Sequence, residues 1–261
     1  RTFTGRPLIG KFEGGWHGGY DALHCATRPP FEIPPSGGLT QGALSDTIVL
    51  PYNDLDGTRR VIGKRKLASI VVEPVLGAGG MIPADREFLK SLRELCDEIG
   101  ALLVFDEVIT GFRLGLGGGQ GYFHVRPDLT VFGKIIGGGL PIGAIGGRRD
   151  IMERMDHTKY SGDQFCFQGG TGAANILTLV AGEATVQALA AEPVYDKIDR
   201  LGNVARTRLS EAFDRLGFDA RVTGVGSMFA IHFTKHKNVR DIRHFSDADK
   251  EQSKRMFTFL L

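Results

Sequence analysis

Two apolar runs, Ala68–Val72, interrupted by Ser69 alone, and Ala101–Phe105, stand either side of a single amphipathic helix, and that order leaves few folds open. A strand with one wet face alternates polar and apolar residues. A strand that is apolar throughout is buried on both faces, as in a parallel sheet covered by helices. In the intervening segment Phe88, Leu89, Leu92, Leu95, Cys96 and Ile99 recur at three and four residues, which predicts a helix. Asp85 is its expected N-cap and Gly100 its expected C-cap. Further strands are predicted at Leu8–Phe12, Leu129–Phe132 and Ile142–Ile145, with Leu129–Phe132 and Ile142–Ile145 read as buried. Strand, helix and strand in this order make an α/β layered domain. Ligands of such sheets bind at the carboxyl ends of the strands, where Glu73, Asp106, Glu107 and Lys134 fall.

Later segments change character. Residues 175–216 are mostly helical, with Pro193 dividing them into two helices. Ala220–Thr223 and Met228–Phe233 read as strands and Ser246–Leu261 as a helix, which suggests a smaller second unit. Residues 25–46 hold Pro29, Pro30, Pro34 and Pro35 and read as a long loop, a setting often used for function. A net charge of +2 is too small to argue for nucleic acid or a polybasic membrane contact. No apolar run approaches the roughly 18 residues of a membrane span. Cys25, Cys96 and Cys166 are odd in number, scattered and without metal-ligand spacing, so a reducing, cytoplasmic compartment is expected and no metal. The chain opens at Arg1 without Met and closes in an uncapped helical pattern, which suggests that it belongs to a longer protein.

Two common phosphate motifs fail. Ile135 follows Gly133-Lys134 where a P-loop needs Ser or Thr, and the Gly115–Gly121 stretch does not link a strand to a helix as a dinucleotide fingerprint does. Taken alone, Asp106-Glu107 after a strand would be solvated or capping groups, and Lys134 before Gly137-Gly138-Gly139 an exposed lysine.

Together they say more. Residues 105–113, FDEVITGFR, and 133–141, GKIIGGGLP, stand at a fixed interval, with Phe12-Glu13-Gly14-Gly15-Trp16-His17-Gly18, Glu73-Pro74-Val75, Pro127-Asp128-Leu129 and Gly170-Thr171 in matching order. This series resembles the class III aminotransferases, and among them the glutamate-1-semialdehyde aminomutases, from Phe3 to the end of the chain. The resemblance implies the large α/β domain of a type I pyridoxal-phosphate-dependent transferase, a mixed and mostly parallel sheet between helices, over residues 1–205. Residues 206–261 would begin a small α+β C-terminal domain, and an upstream segment carrying a Ser/Gly-rich phosphate loop would precede Arg1.

It also implies roles. Lys134 would be the catalytic residue, joined to the cofactor as an imine and shuttling a proton between substrate and cofactor carbons; a primary amine can do both. Asp106 would pair with the cofactor's pyridine nitrogen, and Val108 and Trp16 would cover its two ring faces. Gly170 and Thr171 would bind the phosphate of a neighbouring subunit's cofactor, so a homodimer with shared sites is implied. His17 and Glu107 match further cofactor-site positions, His17 and Arg113 reading as structural, and Glu73 is a supporting candidate. The substrate would be small and derived from an amino acid. The implied reaction is intramolecular amino transfer giving 5-aminolevulinate. Ala78, where aminomutases tend to have Asn, and Trp16, where they usually have Tyr, leave open a transaminase of another amine or β-amino acid with a keto-acid acceptor. An incomplete, non-catalytic fragment is the third reading.

Overall fold

A computed structural model describes residues 1–245 and 248–260. The chain runs β1 (Leu8–Phe12), α1 (Gln41–Leu44), β2 (Thr47–Leu50), α2 (Leu55–Ile62), β3 (Leu67–Val72), β4 (Val75–Leu76), β5 (Ile82–Pro83) and α3 (Arg86–Ile99). It continues with β6 (Leu102–Glu107), α4 (Gly118–Phe123), β7 (Leu129–Gly133), β8 (Gly143–Gly147), α5 (Arg149–Met152), α6 (Ile176–Ala191), α7 (Val194–Leu216), β9 (Ala220–Val225), β10 (Met228–Phe233) and α8 (Lys250–Leu260). A short 3-10 turn, Lys134–Gly137, follows β7.

The main sheet has the order β2-β1-β3-β6-β7-β8, and its first five strands are mutually parallel. The two runs read as doubly buried strands form its centre: every residue of β3 and β6 is buried. Helix α3 buries Phe88, Leu89, Leu92, Leu95 and Cys96, and Phe88 meets Phe12 and Tyr52 edge to face at 5.5 and 5.7 Å. Burial of each such large side chain stabilises the fold by about 1.5–3 kcal/mol.

Some expectations change. The fourth strand lies at Gly143–Gly147, runs antiparallel to β7 and forms a largely exposed edge, not a buried strand. Three of its five residues are glycine, which leaves too few side chains to build a two-sided core. Asp85 stands at the N-cap of α3 but does not cap it; its carboxylate pairs with Arg240 instead. Gly100 ends α3 in the left-handed conformation, as expected. Pro193 separates α6 from α7, and β9 pairs antiparallel with β10 as a separate two-stranded sheet. Ser246, Asp247 and Leu261, in the predicted last helix, lie outside the described residues. No helix among the described residues is long and apolar enough to cross a membrane.

At the amino ends of β6 and β7 one carboxylate gathers three elements. Asp128 Oδ2 accepts from Arg93 Nη1 of α3 at 2.7 Å and from the Leu103 amide at 2.8 Å, and its Oδ1 accepts from Arg148 Nη1 at 2.8 Å. Burial works against the charged carboxylate, but the hydrogen bonds from Arg148, Arg93 and Leu103 outweigh it and hold Asp128 below the ordinary carboxylate value of 3.8. A depressed acid contributes stability that is present above its unfolded value and lost as pH falls through the folded one. Asp128→Asn is therefore expected to destabilise the fold by about 3 kcal/mol near neutral pH, because Arg93 loses its partly buried partner. Urea unfolding checks this, and the gap between parent and variant should close as the pH drops below about 4.

Candidate active site

Parallel strands bring their carboxyl ends to one edge. β1 leads there into Glu13-Gly14-Gly15-Trp16-His17, β3 into Glu73, β6 ends in Asp106-Glu107, and β7 leads into Lys134. The chain moves outward in one direction from β1 to β2 and in the other from β3 to β7, so these ends flank a topological switch point.

Asp106 is the centre of the constellation. It is 8% exposed; its Oδ2 lies 2.7 Å from His17 Nδ1, and its Oδ1 accepts from the Val108 amide at 3.1 Å. Each oxygen retains a second acceptor position. Nε2 of His17 is buried without a hydrogen-bond partner among the described residues. A buried polar atom left in that state is costly unless a ligand or water meets it. Trp16 presents a half-exposed indole, with His24 edge-on at 5.0 Å and 90°. Val108 is half-buried and packs against Gly133, the residue before Lys134.

Lys134 is exposed and takes a φ of +50°, unusual for a residue with a side chain. Its amine has no hydrogen bond or ion pair among the described residues. The turn that carries it is seated on α6 through two glycines. A β-carbon on Gly138 would collide with the Ala181 carbonyl of α6, and one on Gly182 would collide with the Ile136 carbonyl of the turn. Backbone thus meets backbone directly beneath Lys134.

Other expected site residues lie apart from this group. Glu107 is fully buried, and its carboxylate accepts from Thr110 Oγ1, the Gly119 and Gln120 amides and Gln120 Nε2, holding the loop after β6. Arg113 is half-buried in that loop. Gly170 and Thr171 are exposed beside β8 and the start of α6, where Gly170 lines an open groove of about 840 Å³. Lys11 was not anticipated. It is fully buried in β1, and its ammonium donates to three backbone carbonyls of the Trp16 loop. A lone charge inside the apolar run Leu8–Phe12 was the signal for it.

Residues 1–253 match the family model for class-III aminotransferases. The chain belongs to the class-III aminotransferase family. Curated relatives include the glutamate-1-semialdehyde 2,1-aminomutase of Thermomicrobium roseum, 45% identical over 90% of this chain and 55% of the relative. Another is the glutamate-1-semialdehyde 2,1-aminomutase 2 of Lachnoclostridium phytofermentans, 41% identical over 100% of this chain and 61% of the relative. This class-III aminotransferase chain spans just over half the length of those relatives. Among solved structures, an omega-transaminase from Sphaerobacter thermophilus superposes with a TM-score of 0.84 at 39% identity, over 93% of this chain and 57% of that one. The β-phenylalanine aminotransferase of Variovorax paradoxus gives 0.81 at 35% identity, over 97% and 55%. The sheet described above is thus the α/β fold of the class-III aminotransferases.

The glycine seating beneath Lys134 yields a direct check. Gly182→Ala forces the turn and α6 apart and is expected to cost about 1–3 kcal/mol, as overpacking does. Thermal unfolding measures the loss, and the same substitution at the exposed Gly172, where a β-carbon meets nothing, should leave the midpoint nearly unchanged.

Proposed function

We propose that the complete protein transfers amino groups with pyridoxal 5'-phosphate as cofactor and Lys134 as the catalytic residue. The observation that carries this reading is the convergence of Lys134, the Asp106–His17 pair, Trp16 and Val108 at one edge of the parallel sheet. The donor set fits the cofactor: a buried carboxylate with spare acceptor positions, an open indole face, an unpaired primary amine and an unpartnered buried imidazole nitrogen. When bound, pyridoxal phosphate supplies an aldehyde that takes up amino groups and a ring that accepts electron density.

In this reading the chain's residues do the following. Asp106, oriented by His17, holds a proton at the ring nitrogen. Trp16 and Val108 cover the ring faces and keep water from them. Lys134 would hold the cofactor through its Nζ, and that amine would serve as the acid and base for the proton that the reaction moves. Glu107 acts at one remove, by fixing the loop after Val108. Gly170 and Thr171 bind the phosphate belonging to the site of a second copy. Support for that arrangement comes from the apolar surface beside them, where Phe167 is 80%, Ile176 75% and Leu177 74% exposed. We further infer that residues 206–261 begin a smaller domain, since among the described residues β9 and β10 form a two-stranded sheet of their own and α7 runs unbroken across residue 205 as the connecting helix.

The named activity of the curated relatives, conversion of glutamate 1-semialdehyde, is the substrate reading to test first. A second reading is a transaminase with a separate keto-acid acceptor. Ala78 and Trp16 favour it, as does the likeness to transaminase structures at 39% and 35% identity.

Borohydride reduction of the complete protein with its cofactor, followed by peptide mapping, is expected to label Lys134, with no label in Lys134→Ala. An unlabelled Lys134 overturns the catalytic assignment and leaves a non-catalytic chain. Glutamate 1-semialdehyde supplied alone should then be consumed; a strict need for pyruvate or 2-oxoglutarate selects the transaminase.

A further inference from the structure

Two buried side chains of opposite charge lie beneath the loop that carries Trp16 and His17, and neither has a part in the chemistry above. Lys11 is fully buried in β1. Its Nζ donates to the carbonyls of Gly15 at 2.8 Å, Leu23 at 3.1 Å and Cys25 at 2.5 Å, which uses all three of its protons. Glu73, at the exit of β3, is 4% exposed. Its Oε1 accepts from the Trp16 amide at 2.8 Å and its Oε2 from the Gly77 amide at 2.9 Å.

The Gly15 carbonyl and the Trp16 amide are the two ends of one peptide unit. An ammonium holds its oxygen and a carboxylate holds its N–H, so the peptide dipole is aligned between opposite charges. A peptide unit is planar. Fixing both ends therefore fixes the plane from which the Trp16 side chain departs and from which the chain enters His17. A buried ion costs several kcal/mol in desolvation. An apolar residue at position 11 would fill an otherwise apolar strand without that cost.

We infer that Lys11 and Glu73 are a positioning pair, which sets the Trp16 indole and the His17–Asp106 contact by orienting the Gly15–Trp16 peptide unit. The inference deepens the proposed function, because it rests on Trp16 and His17 facing the cofactor. Burial lowers the Lys11 ammonium to about 8, against the pull of Cys25 and Glu73. Burial likewise raises the Glu73 carboxyl, against His17 and the two amides and with Asp106. In both groups burial works against the charged form, and the loop contacts act against that cost.

The test uses the complete protein with Lys11→Met and Glu73→Gln, first without and then with pyridoxal 5'-phosphate. Trp16 emission is isolated by subtracting the spectrum of the same protein carrying Trp16→Phe. Release of the peptide unit should shift that emission to the red and raise its quenching by acrylamide. Affinity for pyridoxal 5'-phosphate should fall about tenfold in each variant, the size of one lost charge-assisted hydrogen bond. A pair that merely stabilises the fold lowers the unfolding midpoint and leaves both the Trp16 emission and the cofactor affinity of the folded protein unchanged; that result overturns the inference. Should Lys11→Met fail to fold, the isosteric Glu73→Gln carries both readouts. The two readings fail separately. An emission shift in a protein whose Lys134 takes no borohydride label sinks the functional reading and leaves the positioning pair standing. A labelled Lys134 with unmoved Trp16 emission does the reverse.

Discussion

The 2.7 Å hydrogen bond between His17 and Asp106 joins the exit of β1 to the exit of β6 across the intervening strand β3. Sheet hydrogen bonds stop at the strand ends, so beyond them the chain segments would otherwise separate. Here polar side chains continue the connection. Glu73 extends from β3 between the other two and takes the Trp16 amide. Tyr52 in turn donates to the carbonyls of Glu73 and Pro74 at 3.0 and 3.3 Å. The arrangement is expensive to bury and is tolerated because almost every polar atom in it has a partner. The exception among the described residues is Nε2 of His17, the ring nitrogen that does not meet Asp106.

Stability and the proposed chemistry are divided between the two ends of the same sheet. At the amino ends, Asp128 ties α3, β6 and Arg148 together with ordinary ion pairs. At the carboxyl ends, Asp106 has, among the described residues, no arginine or lysine partner, and its hydrogen bonds are to His17 and the Val108 amide. Asp106 lies near the end of β6, and Asp128 immediately precedes the neighbouring strand β7. Asp128 is saturated by two guanidinium groups, whereas Asp106 keeps acceptor capacity for a cation from outside.

Much of this was legible from the chain. The largely apolar runs within β3 and β6 read as central strands, and parallel direction then fixed which ends would meet. Lys134, Asp106 and Trp16 fall at those ends, so their grouping follows from topology. Val108 stands two residues beyond Asp106 and turns back toward Gly133, a course the apolar pattern does not encode. Periodicity failed where elements are short or lie at an edge: β2 has three half-buried residues and one buried one, Leu50, and β8 is mostly glycine. Asp85 misled because its sequence position suits a cap, while the pairing with Arg240 depends on a segment 155 residues away. Lys11 and Glu73 were hard to read for a similar reason. Their significance lies in sharing one peptide unit, a relation visible only once β1 and β3 are side by side.

Helix α6 connects these local arrangements to the wider assembly. One side of it bears Gly182 and receives the carbonyl of Ile136, so its backbone is the floor under the Lys134 turn. Its first turns also carry Ile176, Leu177 and Val180 into solvent next to Gly170 and Thr171. A helix apolar on all sides is stable in water only when its outer face is covered. Under the shared-site reading, a second copy covers that face and supplies Gly170 and Thr171 to it in exchange. The close glycine contact then acquires a consequence. Any displacement of α6 on association is transmitted to Lys134 through touching main chains, with no flexible side chain between them to absorb it.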